Sequence, residues 1–160
     1  PAYRERYDAY LKENFPKIPL PSDADTFREL AVLGQKLVAL HLLETPELRR
    51  HGIAYPIGGD HLVKKMRLAQ RYLPPTPNVH AGRVLLNDNE YFDNVPLAAW
   101  EFGVSGYQPA FKWLDDRVGR SLTEEDINHY RMMIASMRET AALLPSVDEA
   151  FKKTLKLDKL

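Results

Sequence analysis

Few residues in this chain stand in arrangements that could carry out a reaction. Gly103-Val104-Ser105-Gly106-Tyr107 approximates the sharp turn that exposes a nucleophilic serine. That pattern needs its second glycine where Tyr107 stands, so an ordinary strand-to-helix turn accounts for the residues. The five histidines, His41, His51, His61, His80 and His129, include no pair at helical metal-ligand spacing. There is no cysteine, which excludes thiolate zinc sites and disulfides alike. Asp115, Asp116, Glu124, Glu125 and Asp126 form an acidic cluster. A metal-dependent nuclease would need carboxylates and a lysine converging from strands. Here Lys112 falls on a helix, and acids in a first helical turn are explained by the helix dipole. No phosphate-cradling or dinucleotide-type glycine loop is present. The reading therefore assigns no catalytic residue and no metal ligand.

Binding chemistry is better represented. The chain carries 22 basic and 22 acidic residues, and a stand-alone DNA binder is usually clearly basic. The balance is uneven, however. From His61 to Asn87 there is no acid, while Lys64, Lys65, Arg67, Arg71 and Arg83 are all basic. Such a stretch suits either a phosphate-facing surface or a solvated face. Tyr72, Tyr91, Phe92, Trp100, Tyr107 and Trp113 lie in or next to it. Aromatic rings beside cations can stack on bases. A small core is the expected place for Phe92, Trp100 and Trp113, while Tyr55, Tyr72 and Tyr107 stay open to either role.

The elements that must position these groups follow from periodicity and punctuation. The 160 residues suffice for one domain with a real core. No apolar run is long enough to span a bilayer, and no signal peptide is visible, so a cytoplasmic protein is expected. The chain opens on Pro1, which fits either a removed Met or an excised fragment. Ala2 to Asn14 reads as a short helix, and Pro16, Pro19 and Pro21 then force an extended path. Ser22 caps a helix that runs to about Glu44, apolar around most of its circumference and so buried on more than one side. Strands are expected at Leu62–Leu68, Arg83–Asn87 and Trp100–Val104, assembled into a small antiparallel sheet. Pro109 starts a helix that Gly119 ends. Thr123 caps a helix to about Leu144, with Asp126 at its third position. There Ile127, Tyr130, Ile134, Met137, Ala141 and Leu144 form a seam for the helix that begins at Ser22. A further short helix follows Ser146. The expected fold class is α+β in a single domain, helical over 1–45, a basic loop and sheet segment over 46–107, and helical over 108–160.

An ordered series of phrases carries a family resemblance. It opens with Pro1-Ala2-Tyr3-Arg4-Glu5-Arg6-Tyr7 and Phe15-Pro16-Lys17-Ile18-Pro19. Phe27-Arg28-Glu29-Leu30-Ala31-Val32-Leu33-Gly34 and Leu37-Val38-Ala39-Leu40-His41-Leu42-Leu43 follow. Then come Gly82-Arg83-Val84, the stretch from Asn87 to Phe92, and Trp100-Glu101-Phe102. Gly106-Tyr107-Gln108, Lys112-Trp113-Leu114, Asp116-Arg117, Gly119-Arg120, Asp126-Ile127 and His129-Tyr130 complete it. Together they resemble the C-terminal specificity domain of Type ISP restriction-modification enzymes and of related adenine-specific DNA methyltransferases. Two departures stand out: Ser105-Gly106 where the family often has two glycines, and a long proline-rich segment from Ala69 to Ala81.

The resemblance implies a DNA target-recognition module in the C-terminal fragment of a larger protein. The partners it implies are double-stranded DNA and an upstream methyltransferase domain of the same chain. S-adenosylmethionine, and ATP with Mg for a translocating parent, would be cofactors of that parent and not of this segment. On this reading Lys64, Lys65, Arg67 and Arg71 hold phosphates. Arg83, Asn87, Asn89 and Gln108 are the base-edge candidates, arginine toward guanine and the amides toward adenine. The alternative is a helical docking module that braces the methyltransferase or a partner subunit, which zero net charge favours. An independent small enzyme would need a convergent polar pocket, and the sequence offers none.

Overall fold

The structure is a computed structural model that describes residues 8–9, 12, 20–21, 23–50, 52–75 and 81–154. Ser22, most of the expected first helix and Pro16 and Pro19 lie outside the described residues. Helix α1 spans Ala24–His41, and a 3-10 turn, η1, follows at Pro46–Arg50. A short helix α2, Leu68–Arg71, runs into strand β1, Tyr72–Leu73. Strands β2, Ala81–Leu85, and β3, Tyr91–Pro96, lead to the one-turn helix α3, Leu97–Trp100. Helices α4, Pro109–Asp115, and α5, Glu124–Thr154, complete the order. The mixture is α+β, with one antiparallel three-stranded sheet in the order β1-β2-β3. No helix among the described residues is long and apolar enough to cross a membrane.

The chain divides into two compact units, Leu40–Ala141 and the flanking Pro1–Ala39 with Ala142–Leu160. In the flanking unit, Asp23 caps α1 by accepting the Thr26 N–H at 2.7 Å. Lys153 pairs with Glu29 at 2.7 Å. Contrary to the expectation of burial on several sides, Phe27, Val32 and Val38 are exposed. Thr26, Leu30, Leu33 and Leu37, at the 4-3-4 spacing of one helix face, are covered or partly covered, as is Gly34 beside them. The final helix also differs from expectation. It is one element through Pro145, not two helices broken before Ser146.

The core of the central unit is built on β3 and α5. Val84, Phe92, Val95, Leu114, Ile127, Tyr130 and Ile134 are buried. The expected seam of α5 is buried at Ile127, Tyr130, Ile134 and Met137. Tyr130 packs its ring 4.5 Å from Phe92 of β3 and 5.1 Å from Trp113 of α4, and donates its hydroxyl to Ala110 O. Thr123 and Asp126 close the expected reciprocal cap: Asp126 N donates to Thr123 Oγ1, and Thr123 N to Asp126 Oδ2.

The sheet exists, but two of its strands are not those expected. The expected strand Leu62–Leu68 forms no ladder, and its last residue, Leu68, begins α2. Its backbone bonds go to scattered partners: Val63 N to Arg120 O, Lys64 N to Leu86 O, and Gly119 N to Val63 O. Lys64 O is taken by the Arg71 guanidinium at 2.7 Å. Trp100–Val104 is not a strand either. Pro96 ends β3 and turns the chain into α3, which buries Trp100 against Tyr72 in a stack at 5.4 Å. The remaining edge strand, Tyr72–Leu73, pairs with Val84 and Arg83. It approaches so closely that a Cβ on Gly82 would lie 2.3 Å from Leu73 O and 2.6 Å from the Tyr72 hydroxyl.

The turn joining β2 to β3 is organised by polar side chains. Asn87 Oδ1 accepts the N–H groups of Asn89 and Glu90, a local bond pattern that asparagine supplies in tight turns. Glu90 is 3% exposed, and its carboxylate accepts from Tyr55 Oη at 2.8 Å, His61 N at 3.1 Å and Asn87 Nδ2 at 2.6 Å, with His61 Nδ1 at 2.7 Å. Burial alone would raise its pKa, but the donors from Asn87, Tyr55 and His61 outweigh that and hold it below the ordinary glutamate value. His61 sits at φ 55°, a left-handed backbone held by this network and by Leu122 N donating to His61 O.

Two outcomes test this account. Gly82→Ala should lower unfolding stability by about 2 kcal/mol, because the new methyl has no room beside the Leu73 backbone. Urea denaturation measures it, and an unchanged midpoint would show that β1 is free to move away. A depressed Glu90 pKa contributes stability that is present above the ordinary glutamate value of 4.5 and is lost as pH falls through the folded value. The stability gap between wild type and Glu90→Gln should therefore be widest near neutral pH and shrink below about pH 4. A gap independent of pH would contradict the charged network.

Candidate nucleic-acid interface

The acid-free segment divides into side chains turned inward and side chains left outside. Arg71, expected to hold a phosphate, is fully buried. One Nη donates to Leu85 O at 2.9 Å and the other to Lys64 O at 2.7 Å, and the guanidinium lies 5.9 Å from the Phe111 ring centroid. Desolvation lowers its pKa. In this position it clamps the approach of the 62–67 segment to β2 and has no surface to offer a phosphate. Asn87 is likewise internal. Its Nδ2 donates to Leu62 O and Glu90 and its Oδ1 accepts two backbone N–H groups, so its amide is fully committed.

Lys64, Lys65 and Arg67 are exposed along one short stretch, with half-buried Met66 between the last two. Lys64 is bonded to Asp88, which raises its pKa above the usual lysine range and already neutralises part of its charge. Lys65 and Arg67 have no side-chain ion pair among the described residues. Arg67 stands at the entry to α2, its backbone N–H donating to Gln70 Oε1. Arg83 and Asn89 are also exposed. Gln108 is the residue before α4, half-buried, with Oε1 buried and unpartnered among the described residues. Its acceptor therefore faces inward.

Arg83, in β2, lies over the Tyr91 ring at 4.5 Å from its centroid, and its Nε donates to Asp93 Oδ1 at 3.2 Å. Sequence reasoning picked out Arg83, and Tyr91 only as an aromatic near the basic stretch; it missed Asp93. The i, i+2 spacing of Tyr91 and Asp93 within one strand, on the same face, was the signal available. A polar groove of about 320 Å³ opens beside the Glu90 network, lined by Gly58, Gly59, Asp60, Lys64, Asn87 and Asn89 with Glu90 itself. Gly59 lacks a side chain there of necessity, since a Cβ would fall 2.7 Å from the Glu90 carboxyl carbon.

The aromatics sort in the same way. Phe92 and Trp100 are core, and so is Tyr72, whose hydroxyl donates to Val95 O and accepts Gly82 N. Tyr55 serves the Glu90 network. Trp113 is half-buried, with the Arg117 guanidinium 3.6 Å above its ring and His129 stacked at 5.9 Å. Tyr107 is exposed, next to a tight turn in which Ser105 and Gly106 both have positive φ. The serine segment is thus a turn between α3 and α4, not the expected turn between a strand and a helix. No group of acids and histidines among the described residues is arranged to hold a metal ion.

Comparison with known proteins bears on these features together. No curated protein matches the chain. Two solved structures share its fold. One is a nuclease-deletion mutant of the Type ISP restriction-modification enzyme LlaGI in complex with a DNA substrate mimic, at a TM-score of 0.58 and 23% identity over 92% of this chain. The other is the ATP-dependent Type ISP restriction-modification enzyme LlaBIII bound to DNA, at 0.57 and 19% identity over 92% of this chain. The chain spans only 12% and 10% of those two proteins. The family model for the Type ISP C-terminal specificity domain matches residues 1–145, and the chain belongs to that family.

Proposed function

We propose that the chain recognises a DNA target sequence on behalf of a restriction-modification enzyme. The observation that carries this reading is the membership of residues 1–145 in a specificity-domain family, joined to an acid-free segment that exposes Lys64, Lys65, Arg67 and Arg83. In this account Lys65 and Arg67, with Lys64 if it leaves Asp88, hold phosphates and set the register of the duplex. Arg83 and Asn89 face base edges. Arg71 and Asn87, buried and bonded to neighbouring backbone, hold the contacting segments in place in this account and do not touch DNA.

The LlaGI and LlaBIII structures are of DNA-bound enzymes, and this supports duplex DNA as the partner. The reading extends to a parent protein with an S-adenosylmethionine-dependent adenine methyltransferase domain upstream of this segment, working in the cytoplasm. ATP and Mg would serve translocation in that parent. The segment itself would bind and orient DNA and leave the chemistry to the methyltransferase. A bracing module without DNA contact is not favoured, because it gives no role to the outward cations of the central unit.

Phosphate contacts release counterions, so affinity must fall with salt. The chain should bind duplex DNA with a negative slope of log K against log salt concentration. Lys65→Glu combined with Arg67→Glu should weaken binding by at least about tenfold and make the slope shallower by roughly two. Fluorescence anisotropy across a salt series provides the measurement. Unchanged affinity in the double variant would remove these two residues from the interface.

A further inference from the structure

Arg83 differs from the other exposed cations because the fold holds it in one pose. It is the centre of β2, and the register shifts around it: Gly82 pairs with Val95 but Val84 pairs with Phe92. Arg83 therefore faces two residues, Asp93 and Asn94, across a β-bulge. Asn94 takes up the extra length at φ 59°, with its N–H donating to Asp93 Oδ1 and its Nδ2 to Gly52 O. The Asp93 backbone is fixed from the other side by reciprocal bonds with Ala54, at 3.2 and 2.9 Å. Bulges of this kind re-aim a side chain. Here the side chain aimed is the Asp93 carboxylate, and its target is Arg83 Nε at 3.2 Å.

The guanidinium is thus restrained twice, by the carboxylate at Nε and by the Tyr91 ring beneath it at 4.5 Å. Its two Nη groups carry no hydrogen bond to any described residue, and the side chain is 50% exposed. What remains open is a planar pair of N–H donors. In the major groove, guanine presents two adjacent acceptors, O6 and N7, that match such a pair, whereas adenine sets a donor beside its N7. A phosphate oxygen pair would also fit the fork geometrically. The Asp93 carboxylate argues against it, since a fixed negative charge at Nε offsets the attraction for another anion and leaves hydrogen bonding to a neutral base intact.

We infer that Arg83 reads a guanine in the target sequence, with Tyr91 and Asp93 as its positioning residues. The inference rests on the recognition reading above and names the base and the device that selects it. The restraint matters because a side chain already held in its binding pose loses less freedom on contact.

Selection of binding sites by the chain from a randomised duplex pool, followed by affinities on the selected duplex and its single-base variants, tests it. Wild type should show one G·C position whose change to A·T costs roughly 5- to 100-fold. Arg83→Lys keeps the charge but has no fork. It should flatten the preference at that position while leaving the other positions and the salt slope as they were. Asp93→Asn and Tyr91→Leu should reduce the preference at the same position by a smaller factor. Arg83 is exposed, so Arg83→Lys reports on recognition even if a bulge variant folds poorly. If Arg83→Lys retains the guanine preference, the inference is wrong. It is also wrong if Arg83→Ala weakens all sequences equally and lowers the salt slope by about one, which marks a phosphate contact. A wild-type chain that binds duplex DNA without selecting any sequence overturns the recognition reading itself, a result separate from any effect at Arg83.

Discussion

Glu90 sits at the turn between β2 and β3, and the donors it accepts come from two stretches of irregular chain. Tyr55 and His61 belong to the loop after η1, and Asn87 to the turn itself. Without that carboxylate the loops would have no regular ladder to hold them, because the 52–67 segment forms only isolated bridges. A buried carboxylate is tolerable only when its acceptor sites are filled, and here each donor is also a length of backbone brought to the sheet. The extended run bearing Lys64, Lys65 and Arg67 begins directly after His61, so its path depends on this network. Arg71 secures the far end of the same run through Lys64 O and Leu85 O.

This arrangement gives the central segment two layers of polar residues with different tasks. The inner layer, Glu90, Asn87, Arg71 and the Tyr72 hydroxyl, satisfies backbone groups that the short strands leave unpaired. The outer layer, Lys65, Arg67, Arg83 and Asn89, has capacity left over for a partner. Zero net charge is compatible with DNA contact on this view, since the acids of the chain lie elsewhere or, as with Asp88 and Asp93, hold individual cations in place. Steering by overall charge would then be weak, and local geometry would carry most of the discrimination.

How far the sequence disclosed this can be followed residue by residue. Caps and helix starts were legible: Thr123 with Asp126, and Pro109 at the first position of α4, act through local chemistry that needs no tertiary partner. The burial of Phe92 and Trp100 followed from size and apolarity. The strands were harder. Leu62–Leu68 alternates like a strand but finds partners on several sides, whereas β3 contains Asp93 and Asn94 and ends in Pro96, which reads as a turn. Its pairing depends on a bulge, and bulges leave no reliable trace in composition. Basic character misled at Arg71 for a related reason. A guanidinium can serve two buried carbonyls as well as two phosphate oxygens, and only the fold decides between them. Asp93, missed outright, and Tyr91, named only as a nearby aromatic, matter through their relation to Arg83 across the sheet, a register no single strand reveals.

The central claim is that DNA meets the outward residues of the basic segment and the outer face of the hairpin. Titration of duplex DNA into the isotope-labelled chain, followed by amide and arginine side-chain NMR shifts, tests it most directly. The account predicts that the largest changes fall within residues 64–67 and 81–94, include the Arg83 Nε–H, and spare the buried seam of α5 around Tyr130 and Ile134. Changes concentrated on α1 or along α5, with residues 64–67 and 83 unmoved, would contradict it and assign the contact to the helices.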